Sequence, residues 1–164
     1  MMTSSAIPLA AFQPHDHGRC QGAALVAARE RCRVRGLRLT PARAFALETL
    51  LESHRAMTAY ELLDRLRAAG LGGQPPVAYR ALEFLVEHGF AHRIERLAAY
   101  VACTRGAGGH AAAFLICRMC RRVAETAFSA PAPELAADAA RAGFTLERVV
   151  VEAEGVCARC REAA

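Results

Sequence analysis

Lysine is absent from this 164-residue chain: all 21 of its basic residues are arginine. Long apolar runs are absent as well. A membrane-spanning helix needs roughly 18 apolar residues in a row, and the longest candidates here, Ala111 to Cys117 and Leu97 to Ala102, are strand-sized. The short apolar stretch Ala6 to Phe12 has no basic residue before it and makes a poor secretory signal. The expectation is a cytoplasmic protein with no membrane partner. No Gly-rich phosphate loop and no nucleophilic Ser signature is present. We therefore expect no enzyme, no catalytic residue and no small organic substrate. There is no internal repeat beyond a duplicated Cys-x-x-Cys pair. With 54% hydrophobic and 23% charged residues, the chain suits a folded globular protein and not overall disorder.

The formal charge is +5, from 21 basic and 16 acidic residues. The excess is sharpest from Arg19 to Arg43, where Arg19, Arg29, Arg31, Arg33, Arg35, Arg38 and Arg43 meet one acid, Glu30. Such a stretch is either a solvated basic face or the electrostatic footprint of a polyanion partner.

Residues 1–21 hold Pro, Gly, Ser and His without periodicity and read as a disordered arm. Ala23 to Arg35 has no breaker and reads as a helix ended by Gly36. Thr40 and Pro41 form an N-cap and first helical position, opening a helix to about Ser53. Thr58 to Glu61 is a capping box that starts a third helix, with Leu62, Leu63 and Leu66 as its buried stripe. Pro75-Pro76 leads into a fourth, Val77 to His88, closed by Gly89. At about 100° per residue, Ala78, Ala81, Leu82 and Leu85 share one face, with Tyr79, Arg80, Glu83 and Glu87 opposite.

Phe90 to Glu95 and Ala99 to Cys103 read as a two-stranded hairpin. Helices followed by a hairpin are the order of a winged helix-turn-helix. Arg105 to Gly109 is Gly-rich and marks the boundary. Beyond it we expect strands at Ala111 to Cys117 and Arg122 to Thr126, a helix at Pro133 to Arg141, and a strand at Thr145 to Glu152. The fold class is α+β: an arm (1–21), a winged-helix domain (22–104), a hinge (105–110) and a small α/β domain (111–164).

Seven cysteines in a reducing compartment point to metal before disulfides. Cys117-x-x-Cys120 and Cys157-x-x-Cys160 are two knuckles, each able to grip one ion with two thiolates. Together they complete a closed tetrahedral zinc site with no open position, which makes it structural. Arg118, Arg121, Arg122, Arg159 and Arg161 crowd the knuckles and should lower the thiol pKa values. A redox dithiol fits one knuckle and explains two poorly.

A second ligand set is His92 and Cys103 on the hairpin, His110 after the hinge and Glu125 past the first knuckle. One thiolate, two imidazoles and a carboxylate suit zinc better than Mn or Mg, although the histidines read equally as plain surface residues. His15, His17 and Cys20 look ligand-like but lie on the arm, where weak adventitious binding is expected. Cys32 reads as a small buried residue. His54 and His88, near helix C-termini, complement the helix dipole and take no ligand role.

Order and spacing across residues 25–160 resemble the Fur family of metalloregulators, most closely its zinc-uptake-regulator branch. The matching stretches are Arg38-Leu39-Thr40-Pro41-Ala42-Arg43, Thr58 to Asp64, Pro75 to Leu82, Glu87 to Phe90, the His92-to-Cys103 spacing, and Phe114 to Cys120. The resemblance implies an N-terminal winged helix that binds double-stranded DNA and a C-terminal domain that makes a homodimer. It also implies about two zinc ions per chain, one structural and one sensory. By position, His92, Cys103, His110 and Glu125 match the sensory ligands of the zinc branch. The His-rich motif of iron and peroxide sensors is missing; Gly109-His110-Ala111-Ala112-Ala113 stands there. Val77-Ala78 replace the family's Thr-Val, and Ala42 replaces its usual Gln.

The expected function is a zinc-responsive transcriptional repressor of zinc-uptake genes. Tyr79 and Arg80 are the expected base readers, since Arg can fork onto a guanine edge and a Tyr ring can touch a thymine methyl. Tyr60 reads as core or as a DNA contact, and Arg38 and Arg43 as phosphate contacts. The alternatives are a sensor of iron or manganese, a thiol oxidoreductase, and a zinc-stabilised interaction module without a DNA role.

Overall fold

Asp16 starts the first helix earlier than the composition predicts. In the computed structural model, which describes residues 11–13, 16–104, 112–127 and 132–163, helix α1 runs His17–Val34, and the Asp16 side chain accepts from the Arg19 amide. Residues 17–21, expected in the arm, are helical because that cap satisfies an orphan N–H of the first turn. Helix α2 spans Pro41–Leu51 under a Thr40 cap. The two-residue strand β1, Met57–Thr58, leads straight into α3, Ala59–Ala68, whose capping box between Thr58 and Glu61 is complete. Helix α4 is Pro75–Glu87. Gly89, at φ 72°, lets the chain turn left-handed, so that Phe90 donates back to the Leu85 carbonyl at 2.7 Å. Leu47, Leu50, Leu62, Leu66, Leu82 and Leu85 close the core between these helices.

Strands β2 (Ala91–Ile94) and β3 (Ala99–Ala102) form the wing, and β1 adds a third strand in the order β1-β3-β2. The wing turn is a 3-10 segment, Glu95–Leu97, closed by Ala98 in the left-handed region at φ 45°, where a Cβ costs about 1–2 kcal/mol.

The second sheet has the order β5-β4-β6, from β4 (Ala112–Cys117), β5 (Val123–Ala127) and β6 (Val150–Gly155). Helix α5, Pro133–Arg141, carries the chain across so that β6 runs parallel to β4. Residues 145–149, expected in the last strand, lie outside it; the ladder begins at Val150, opposite Ala112. A five-residue helix α6, Ala158–Glu162, ends the fold. The winged-helix and α/β architectures match the expectation. The hinge, with Gly106, Gly108, Gly109 and His110, lies outside the described residues.

A second apolar cluster joins the two halves. Ala56, Ile94, Ala99 and Val101 from the helical half pack with Phe114, Ile116 and Val123 from the second sheet. Backbone bonds reinforce it: Ala56 N–H to the Arg121 carbonyl at 3.0 Å and Val123 N–H to the His54 carbonyl at 2.9 Å.

Candidate metal centres and nucleic-acid interface

The parallel pairing of β4 with β6 places Cys117 opposite Gly155, and the Arg118 amide fixes that junction by donating to the Gly155 carbonyl at 2.9 Å. Both knuckles therefore meet at one end of the sheet. The sulfurs of Cys117, Cys120, Cys157 and Cys160 all lie within 4.8 Å of one another, with Cys120 and Cys157 Sγ 3.9 Å apart. Tetrahedral zinc with Zn–S bonds of about 2.3 Å sets its sulfurs about 3.8 Å apart, so the four residues fit such an ion.

Burial opposes ionisation of Cys117, but the amides of Cys157, Cys120 and Met119 outweigh it and hold its thiol down at about 6. Cys160 is pushed up by its contact with Cys157. The arginines do not cause the lowering at Cys117, contrary to the sequence expectation. Arg121 turns to Glu61 at 3.8 Å, Arg122 donates to the Ala11 carbonyl at 3.2 Å, and Arg118 lies against the Met119 sulfur. Backbone amides reach the sulfur where long side chains find other partners.

The second set also gathers. Ligand atoms of His92 on β2, Cys103 just past β3 and Glu125 on β5 lie within 4.8 Å of one another. His92 is thus no plain surface histidine: its Nε2 sits 3.3 Å from Glu125 Oε2, close to the about 3.4 Å expected between N and O donors sharing a tetrahedral zinc. The Thr104 amide and hydroxyl both donate to the same carboxylate oxygen, at 3.3 and 3.4 Å. Phe114 closes one side, its ring 5.1 Å from the His92 ring. Burial pulls the His92 imidazolium down, but hydrogen bonds to Cys103 and Glu125 win and raise it to about 9. His110 lies outside the described residues. These two groups are the only clusters of three or more candidate ligands among the described residues.

His15 is outside the described residues, and His17, now helical, meets His54 edge-on at 4.9 Å. Cys32 is buried, as expected.

The DNA-facing candidates are separated by the fold into exposed and engaged residues. Tyr60 is 66% exposed at the start of α3, which removes its core reading, and Tyr79 is 40% exposed on α4. Arg80 and Arg38 are exposed. Arg43 is partly engaged: its guanidinium stacks 3.8 Å over the Phe84 ring and donates to the Arg38 carbonyl at 2.7 Å. Arg31 was not singled out from sequence. It donates to the His88 carbonyl at 2.9 Å while lying 4.2 Å over the Phe90 ring, so α1 holds the C-terminal end of α4. Its only sequence signal is the basic last turn of α1.

No protein-family profile matches the chain. It is, however, 40% identical over 139 residues to the zinc uptake regulation protein of Escherichia coli (strain K12), across 84% of this chain and 81% of that protein. The chain belongs to the Fur family, in its zinc uptake regulator branch. Solved zinc uptake regulators are similar over 87% of this chain. One complexed with zinc and DNA superposes with a TM-score of 0.80 at 38% identity, over 87% of this chain and 96% of that one. The holo form of the regulator XcZur gives 0.75 at 38% identity, and its apo form only 0.50 at 36%, each over 87% of this chain and 99% of that one. Coverage and identity barely change between the last two, while the TM-score falls. The chain is thus more similar in structure to the holo form than to the apo form.

Proposed function

We propose that the chain is a zinc-responsive transcriptional repressor, a cytoplasmic homodimer that binds operator DNA when its sensory site is loaded and so controls zinc-uptake genes. The observation that carries this reading is the likeness to the holo and DNA-complexed regulators over the apo one, in a chain whose halves meet at His92, Cys103 and Glu125. Cys117, Cys120, Cys157 and Cys160 hold a structural zinc; His92, Cys103 and Glu125, with His110, hold the sensory one. The count is two per chain. The proposed domain limits are those read from sequence, with the hinge at 105–110, except that the winged-helix half begins with α1 at His17; no described helix is long and apolar enough to cross a membrane.

His92 and Cys103 of the wing and Glu125 of the second sheet would hold the sensory ion, which would supply Lewis acidity there. The residues do the rest. Glu125 on the second sheet anchors one side, and His92 and Cys103 bring the wing to it. The wing carries α4, whose C-terminal carbonyl Arg31 steadies. Tyr79 and Arg80 then read base edges, with Tyr60, Arg38 and Arg43 at the flank. Sensing requires only that the ion prefer the DNA-competent arrangement; it shifts the equilibrium by that preference and no more.

The soft Cys103 sulfur and the absent His-rich motif favour zinc over iron or manganese. The chain acts by binding and not by catalysis. DNA binding measured against free zinc set by a chelator buffer tests the reading. A response to iron or manganese alone, or none to any metal, overturns it.

A further inference from the structure

Beside the apolar packing of Ile94, Ala99 and Val101 on Phe114 and Ile116, polar groups of the second sheet grip the wing at both of its ends, and the sensory cluster is only one of these grips. Phe114 on β4 pairs with Glu125 of β5 on one side and with Glu152 of β6 on the other. One row of the sheet therefore presents two carboxylates flanking a buried ring. Glu125 meets the open end of the wing hairpin. Glu152 meets its turn: Oε1 accepts from the Glu95 amide at 2.7 Å and Oε2 from the Arg96 amide at 2.9 Å. These two amides open the 3-10 turn Glu95–Leu97, which has no side-chain cap of its own. Orphan N–H groups at a helical N-terminus attract a carboxylate, and a hydrogen bond with an ionised partner is about twice as strong as a neutral one. The Glu95 carboxylate is drawn aside by Arg93 at 3.2 Å. Arg96 closes onto Glu154 of the same strand at 3.3 Å.

We propose that Glu152 is a positioning residue for DNA binding: it caps the wing turn from the dimerisation sheet and forms the metal-independent half of a two-point clamp whose other half is the sensory cluster. Apolar packing between wing and sheet is non-directional; directional bonds at both ends of the hairpin fix its angle on the sheet. The wing then lies across the sheet row with its turn pinned by Glu152, and α4 takes its angle from the wing. Arg96, held by Glu154, serves the same closure and does not read DNA. The DNA consequence rests on the functional reading above, whereas the cap itself does not.

The test uses the full-length, zinc-loaded protein with Glu152→Ala, Glu152→Gln and Arg96→Ala. Amide hydrogen exchange at Glu95 and Arg96 reads the cap directly. Zinc content and affinity for a duplex selected from random sequence by the unmodified protein read the rest. Glu152→Ala should speed exchange at both amides and weaken DNA binding about tenfold at saturating zinc, with zinc content unchanged. Glu152→Gln keeps one acceptor oxygen and should rescue part of both effects. Arg96→Ala keeps its amide and should leave the exchange slow. Unchanged exchange in Glu152→Ala overturns the cap. Faster exchange with full DNA affinity overturns the positioning role, and so does loss of sensory zinc, since Glu152 would then act through the metal site. If the unmodified protein itself ignores zinc, the functional reading fails while the exchange result still decides the cap.

Discussion

His92 Nε2 lies 3.3 Å from Glu125 Oε2, an imidazole of the wing against a carboxylate of the second sheet. With Cys103 they make a polar cluster where the two halves meet. Its charge state without metal is set by the neighbours: His92, raised to about 9, is an imidazolium at neutral pH.

Loading the sensory site must therefore displace a proton from His92. A metal competing with a proton binds more tightly as pH rises, until the ligand is deprotonated on its own. Sensory zinc affinity should climb about tenfold per pH unit from pH 7 toward 9 for this one proton, and then level. Isothermal titration in buffers of different ionisation enthalpy measures the proton released. No proton release at pH 7 would count against His92 as a ligand.

Cys103→Ser should separate sensing from folding. Cys103 is absent from the four-sulfur site, so that site can form without it, and serine is a poor zinc ligand at neutral pH. The variant should stay a folded dimer with one tightly held zinc per chain. It should lose the second zinc and the zinc-stimulated DNA binding. A loss of about 3 kcal/mol in sensory affinity exceeds a hundredfold. A wild-type zinc midpoint, or an unfolded variant, would remove Cys103 from the sensory set.

Cys120→Ser should unfold the second sheet domain, because structural zinc binding is folding free energy on the order of 10 kcal/mol. Thermal melting with and without strong chelation is the measurement. An unchanged melt would mean the four sulfurs hold no structural ion.

Arg80→Ala and Arg43→Ala should differ in kind. Arg80 is exposed on α4, and its loss should cost about 1–3 kcal/mol on the selected site and relax preference at one base. Arg43 stacks on Phe84. Its loss should weaken all sequences alike and also lower stability by about 0.5–1 kcal/mol, the scale of an exposed cation–π contact. Salt-dependent binding to selected and mixed DNA, beside denaturant melts, tells the two apart.

Much of the fold was legible because its punctuation is local. Thr58 with Glu61, Gly89 and Pro133 each mark a boundary through nearby bonds or fixed backbone angles, and the structure places helix ends there. Asp16 was missed as a cap because His, Gly and Pro around it read as an arm. Strand β1 is too short for a period to show, and the late start of β6 depends on where β4 offers it a partner. The four sulfurs were legible from spacing, and His92, Cys103 and Glu125 from donor chemistry and resemblance. Glu152 was not, because its partners are backbone amides 57 and 56 residues away, which no side-chain pattern announces.

Strand β5 stands at the rim of its sheet, and what shields its beginning is the short loop His54–Ala56, joined to Arg121–Val123 through main-chain bonds and the packing of Ala56 with Val123. The main-chain bonds are indifferent to side-chain identity, so Arg55 can change and the loop still cover the rim, whereas the buried Ala56 cannot grow freely. The shield also travels with the DNA-binding half. Whenever the halves part, the start of β5 is left with unpaired N–H and C=O groups, the template on which strands of other molecules add. On the proposed function, opening for want of metal would do more than misalign the helices set against DNA: it would bare a sticky rim and add a hazard of self-association.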